Sequence, residues 1–186
     1  YNKNKKIWHV GGWTYDINIK NEYDIFFSGV MNCWGWATWK DKWKFFEKKP
    51  EKLIDYFNKD YNKKNKFNLN GRINYYNQIL RNDNKRINTW AVFWYAQIFK
   101  NKGLCISPNI SLVKNDGFDK QSTQSHPDHF MNILYKTRIN KKKNFNLPDV
   151  VNEKFDYYKL LEKFFRSKIN FVTKSKYILN NLIRKF

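Results

Sequence analysis

The sequence predicts a mixed α/β fold in which a few short strands are outnumbered by helices, followed by a basic helical tail. Three observations carry that expectation. Two apolar runs end in small-residue turns: Ile7-Trp8-His9-Val10 before Gly11-Gly12, and Asp24-Ile25-Phe26-Phe27 before Ser28-Gly29. Both read as buried strands. Several longer segments place apolar residues at helical spacing. Finally, 41% hydrophobic and 19% aromatic residues among 186 suffice for a core, despite a mean hydropathy of −0.83. A wholly disordered chain is excluded on that ground. The length fits one domain or a large part of one.

The elements follow in order. Strand ends followed by glycine turns are where α/β folds hold ligand loops. Trp36, Trp39 and Trp43 recur at i, i+3 and i+7, which predicts one face of a helix, a stripe more typical of a core than of a ligand site. Trp34-Gly35 precedes that stripe, where an indole is available to stack on the C–H face of a sugar. Pro50-Glu51 opens a helix over 50–60 with Leu53, Ile54 and Phe57 on one side. A polar Asn/Lys stretch, 58–72, separates it from a short amphipathic helix over 73–80 and a turn at 82–85. Asn88-Thr89 is expected to cap a helix from Trp90 to about Lys102, with Trp90, Phe93, Trp94 and Ile98 inward and Gly103 as its C′ residue. A strand from Leu104 to Ser107 stops at Pro108, an extended piece covers 111–113, and Asn115-Asp116-Gly117 is a turn. Residues 114–129 are polar and expected to be irregular; loops of that length are functional or disordered.

Composition changes after Lys136. The expected division is a body over 1–136, a linker over 137–151 and a basic tail over 152–186. Helical periodicity in the tail sets Ile178, Leu179, Leu182, Ile183 and Phe186 opposite Lys174, Lys176, Arg184 and Lys185. That pattern suits a helix lying on anionic lipid, or one packed on its own domain. The chain opens on Tyr1, which points to a piece of a longer protein.

The net charge is +20, from 36 Lys+Arg against 16 Asp+Glu. Such a field attracts polyanions. Heavy use of Lys, Asn, Ile, Phe and Tyr also suits a solvated surface encoded by AT-rich DNA. Many site classes are absent: no phosphate loop, no dinucleotide fingerprint, no Cys-x-x-Cys or His-Glu-x-x-His, no Gly-x-Ser-x-Gly. No apolar run approaches the ~20 residues of a membrane span, and no secretory leader pattern opens the chain. Two cysteines, Cys33 and Cys105, build no disulfide scaffold. A cytoplasmic setting is expected, at the inner face of the membrane if the tail docks there. His9 reads as a satisfied core histidine. His126 and His129, with Asp116, Asp119 and Asp128 nearby, are candidate contacts for a divalent metal or a phosphate.

Five strings then stand in a suggestive order: Trp8-His9-Val10-Gly11-Gly12-Trp13; Phe26-Phe27-Ser28-Gly29; Cys33-Trp34-Gly35-Trp36-Ala37-Thr38-Trp39; Asn88-Thr89-Trp90-Ala91-Val92-Phe93-Trp94-Tyr95-Ala96; and Gly103-Leu104-Cys105-Ile106-Ser107-Pro108 through Ser111-Leu112-Val113-Lys114-Asn115 to Gly117-Phe118-Asp119 and His126. Over roughly 7–130 they resemble the C-terminal half of bacterial GT-A-type glycosyltransferases of the family 2 kind. The resemblance implies a partial GT-A fold: the acceptor-side half of an enzyme moving a sugar from a nucleoside-diphosphate donor to a cell-surface glycan, or a lipid-linked one. It implies Mg²⁺ or Mn²⁺ held by an acidic Asp-x-Asp motif upstream; no Asp-x-Asp occurs here, so the chain alone is expected to be inactive. It implies that Trp13, Trp34 and Trp36 flank the acceptor, with Trp90 and Asn115 also binding substrate, and that the loop from Asn115 to His126 closes over the diphosphate. Relatives often carry an Asp base just after the Trp matching Trp90; this chain has Ala91. Asp119 is therefore the first candidate base and Asp41 the second. His126 matches the family's loop histidine, a metal contact, across a longer loop without glycine. Two rival expectations stand beside this one: a basic nucleic-acid-binding module, and a non-catalytic remnant that docks on an anionic membrane surface. The enzyme reading expects no nucleic-acid partner.

Overall fold

Burial on both faces explains why the strands read as nearly continuous apolar runs. In the computed structural model, which describes residues 1, 3–115 and 135–168, four strands form one mixed sheet: β1 (Ile7–Gly11), β2 (Ile25–Ser28), β3 (Trp36–Ala37) and β4 (Leu104–Pro108), in the order β2-β4-β1-β3. β1 and β4 are parallel; β2 on β4 and β3 on β1 are antiparallel. Ile7, Ile25, Phe27, Leu104 and Ile106 form a cluster on one face. Trp8 and Cys105 join the larger helical core on the other.

A local irregularity decides which side chains reach that core. Ile7 pairs with Leu104, and His9 with the very next residue, Cys105, so Trp8 is the extra residue of a bulge. A bulge breaks strict alternation. Trp8 and His9 therefore both reach Trp94, while Ile7 and Val10 serve the opposite cluster.

The helices are α1 (Lys40–Trp43), α2 (Pro50–Asn58), α3 (Tyr61–Phe67), α4 (Tyr75–Asp83), α5 (Ala91–Lys100) and α6 (residues 156–168). Every residue from Val92 to Ile98 is buried, Gln97 the one polar side chain among them, so α5 is the central helix, buried on all sides. Phe57 of α2, Phe67 of α3 and Ile79 of α4 close around it. α3 falls in the stretch whose composition suggested only a polar connection. Its Asp60 side chain accepts from the Lys63 N–H at 2.9 Å, an N-cap that starts a helix with little apolar content.

Three expectations are corrected. Residues 36–43 are not one helix: Trp36 lies in β3, Trp39 precedes α1, and only Trp43 is helical. Trp36 and Trp43 still meet, at 5.5 Å between centroids, because the chain folds back. α5 is not capped by Asn88 or Thr89; Trp90 is its N-cap and makes no side-chain cap bond, while Thr89 bonds Asn82 instead. After α5 the left-handed residue is Lys102 (φ 50°), not Gly103. Gly103 is required for another reason: a Cβ there would stand 2.6 Å from the Trp8 ring.

The stretch 137–151 runs against the body. Asn140 donates to the Ser111 carbonyl, and Asp24 accepts from both Lys142 and the Asn146 N–H. The following helix buries Tyr157, Leu161 and Phe165 among Trp13, Tyr15 and Phe26. Residues 169–186, including the predicted Ile178–Phe186 face, lie outside the described residues.

Candidate functional site

Three loops converge where β1 ends. The Gly12 N–H donates to the Trp34 carbonyl (3.3 Å), and the Gly12 carbonyl accepts from the Leu112 N–H (2.7 Å). The Ser111 hydroxyl accepts from the Thr14 N–H and donates to the Thr14 carbonyl. Two glycines permit this closeness. A Cβ on Gly12 would lie 2.8 Å from the Gly35 carbonyl, and one on Gly35 would lie 2.7 Å from Val113. Gly35 also takes φ +57°, where a side chain is strained.

The junction sets Trp13 and Trp34 edge to face, 4.7 Å between centroids and 80° between planes. Tyr15 meets Trp13 at 4.6 Å, and Tyr135 meets Trp34 at 5.1 Å. Beneath these rings lies a cavity of about 140 Å³, whose walls include Trp13, Trp34, Tyr135, Asn32 and the start of α5 at Ala91 and Val92. Burial pushes the Cys33 thiol and the phenols of Tyr15, Tyr75 and Tyr135 upward, so all stay protonated at neutral pH. Among the described residues the walls therefore carry no charge and no activated nucleophile. The walls combine aromatic faces with neutral polar groups from Asn32, Gln78 and the tyrosines.

The predicted residues divide between two places. Trp13 and Trp34 share the cavity. Trp36 does not: it stacks on His9 at 5.6 Å and 12°, and packs against Trp90 at 4.7 Å. The positive φ of Gly35 breaks the extended alternation that would put Trp34 and Trp36 on one face, and so sends them into different clusters. Trp90 belongs with Trp36. Asp41 is exposed in the first turn of α1, 3.5 Å from the Lys42 ammonium, and is not among the cavity walls. Asn115 is half-buried at the end of the stretch that carries Val113. Asp119, His126, His129, Asp116 and Asp128 lie outside the described residues, as does the loop from 116 to 126. His9 is buried and satisfied, as expected. Among the described residues no three His, Cys, Asp or Glu side chains gather as a metal site.

Sequence reasoning missed Tyr135, Tyr15, Tyr75 and Asn32 as wall residues. The only signal for the three tyrosines was aromatic density, which most of the chain shares, and Asn32 had none.

Two open grooves lie elsewhere. One, about 730 Å³, carries Lys63, Lys66, Lys100 and Lys102 beside Tyr56, together with Asp60 and Glu153. The other, about 670 Å³, carries Glu22, Asp149, Glu153 and Asp156 beside β2, with Lys154 as its one cation among the described walls. The positive charge is thus not evenly spread. Among the described residues no helix is long and apolar enough to cross a membrane. No family model, no curated protein and no solved structure matches this chain.

Proposed function

We propose that this chain is the acceptor-side part of a GT-A-type glycosyltransferase, and that the Trp13–Trp34 cavity receives the acceptor sugar. One observation supports this beyond motif order. The described residues on both sides of the 116–134 stretch lie at one junction: Val113 packs at Gly12 and Gly35, between which Trp13 and Trp34 stand in sequence, and Tyr135 packs on both indoles. Tyr135, one of the described residues flanking the segment to which the resemblance assigns Asp119 and His126, is a wall of the cavity.

In this reading the indoles orient the acceptor ring, and a carboxylate within ~3 Å of its hydroxyl removes the proton as that oxygen attacks the donor sugar. Asp119 takes that role; Asp41 is the second choice, and its exposure beside Lys42 argues against it. The nucleotide-binding half and its Mg²⁺ or Mn²⁺ lie upstream. The described residues present no group suited to that metal, and no step with it is assigned to them.

The test restores the upstream coding sequence and measures hydrolysis and transfer from nucleotide sugars with Mn²⁺. Activity is expected, and Asp119→Asn should lower it by about 10²–10⁴-fold with little change in substrate binding. An upstream stretch without an acidic Asp-x-Asp motif, together with no hydrolysis, would refute the proposal.

The lysine groove favours a second reading, phosphate contacts to a single-stranded nucleic acid, with Tyr56 available for base stacking. Two of its lysines already lie over the Tyr56 ring, Lys63 at 4.6 Å and Lys100 at 5.4 Å, which weakens that reading. A salt titration separates the two. Tight binding to single-stranded DNA with a steep salt slope, and none to glycosides, would replace the enzyme reading.

A further inference from the structure

We infer that the aromatic patch built from β3, α1 and the start of α5, with the lysines that flank it, is a docking surface for an anionic lipid bilayer. The surface belongs to the described body of the chain, not to its tail. It is independent of the acceptor-site reading, which stands or falls on other residues.

The patch begins as an extension of the core. β3 is an edge strand of the sheet, and α1 follows it directly. Trp43 meets Trp94 of the central helix at 5.0 Å, and Phe45 meets Trp8 at 5.2 Å. Trp36 joins Trp43 to Trp90, at 5.5 and 4.7 Å. These contacts account for the inner side of each ring and leave the outer side in water. Phe45 is 53% exposed and Trp43 36%, and Trp36, Phe46 and Trp90 beside them are only half-buried. Apolar surface in water is unfavourable, and a contiguous exposed group of such residues marks a contact surface.

The kind of partner follows from charge and from ring geometry. None of Trp36, Trp43, Phe45, Phe46 and Trp90 lines the cavities described above, so the patch meets a surface and not an enclosed small molecule. Residues 40–49 add Lys40, Lys42, Lys44, Lys48 and Lys49 against Asp41 and Glu47. Glu47 is held by Lys49 and Lys52, and Asp41 lies beside Lys42. Lys40 and Lys44 are exposed and have no carboxylate partner among the described residues. Such a lysine rim fits a protein partner poorly, because lysine is depleted from protein interfaces. A single-stranded nucleic acid needs open ring faces for its bases. Here the faces are turned on one another: Trp43 stacks on Phe46 at 4.5 Å and 5°, and Trp36 on His9 at 5.6 Å and 12°. A bilayer uses what remains. Indole and phenyl edges enter the headgroup boundary, and ammonium groups on long apolar stems reach the anionic lipids around them.

The test mixes the 186-residue chain with vesicles of phosphatidylcholine carrying phosphatidylglycerol, and with vesicles of phosphatidylcholine alone. Co-sedimentation reads binding, and quenching of tryptophan fluorescence by acyl-brominated lipid reads insertion. Every tryptophan lies before residue 95, so quenching reports on the body and not on the tail. Binding to the anionic vesicles with quenching, weakened by salt, is expected. Lys40→Glu with Lys44→Glu should lower partition by at least about tenfold, and Phe45→Ser by about fivefold. If Phe45→Ser fails to fold, the lysine pair, exposed and outside the core, still decides. A chain with Lys174, Lys176, Arg184 and Lys185 changed to Gln should keep its quenching. No binding to the anionic vesicles would overturn the inference, as would quenching lost with the tail charges and kept in the lysine variant. Binding to single-stranded DNA with none to vesicles would overturn it in favour of a nucleic acid.

Discussion

His9 shows how one buried contact fixes a protonation state. Trp94 Nε1 can only donate, and it lies 3.2 Å from His9 Nδ1, so that nitrogen must accept. The ring proton then sits on Nε2 and is donated to the Asn32 carbonyl at 2.9 Å. Protonating Nδ1 would set one N–H against another in a dry site. Burial accordingly lowers the pKa to about 4, a shift only partly offset by the Asn32 carbonyl. Between about pH 6.5 and 4 the unfolded chain holds a proton that the folded chain refuses. Stability should be flat above that window and fall as pH drops through it, by about 3 kcal/mol in all. Urea midpoints across the window check this; no fall down to about pH 4.5 would mean that His9 is not held neutral. Gly35 is the other decisive residue. Gly35→Ala combines a left-handed backbone with a contact of 2.7 Å to Val113. It should cost about 1–3 kcal/mol in a denaturant melt and blunt any glycoside effect on Trp34. An unchanged midpoint would mean that the three loops are not as close as described.

At the scale of elements, the helix over 156–168 belongs to the body. Tyr157, Leu161 and Phe165 recur at i, i+4 and i+8, and the stripe meets Phe26 and Tyr15 at 4.5 and 5.1 Å. The Tyr158 hydroxyl donates to Glu153 and accepts from the Gly29 N–H, tying the helix to the turn after β2. Arg72 pairs with Glu162 at 2.6 Å from the side of the loop before α4. Leu161→Ala should therefore destabilise the whole chain by about 2–5 kcal/mol, as a buried truncation does. A helix that only brushes the surface would lose less than ~0.5 kcal/mol. Amide exchange across 156–168 in the variant gives a second check, because a docked helix exchanges with the core.

For the molecule as a whole, the apolar clusters are not independent. β1, β2 and β4 each supply residues on both faces of the sheet: Ile7 and Trp8, Phe26 and Phe27, Leu104 and Cys105. Loss of the sheet exposes all of them together. Far-UV circular dichroism and tryptophan fluorescence should thus melt with one midpoint, as two-state unfolding requires. Separate midpoints would show that the Trp13 cluster with α6 unfolds apart from the α5 core. The ion pairs contribute little to this balance. Among the described residues the shortest of them, Lys59–Asp55 and Arg72–Glu162, are exposed or half-exposed, where pairs contribute ~0–1 kcal/mol.

Short apolar runs and glycine stops were enough to locate β1, β2 and β4, and helical spacing located α2, α4 and α5, because those patterns depend on neighbours a few residues apart. The buried state of His9 was legible for the same reason, as it sits inside an apolar strand. Only the tertiary structure could decide the rest. The Trp36–Trp43 spacing satisfied a helical period, yet pairing of Trp36 with Gly11 drew it into a strand. Trp34 and Trp36 look alike in sequence, but a glycine with positive φ between them lets the chain turn, so one lines the cavity and the other stacks on His9. Tyr135 reaches Trp13 across more than a hundred residues. Contacts of that range follow from closure of the sheet, and no local pattern records them.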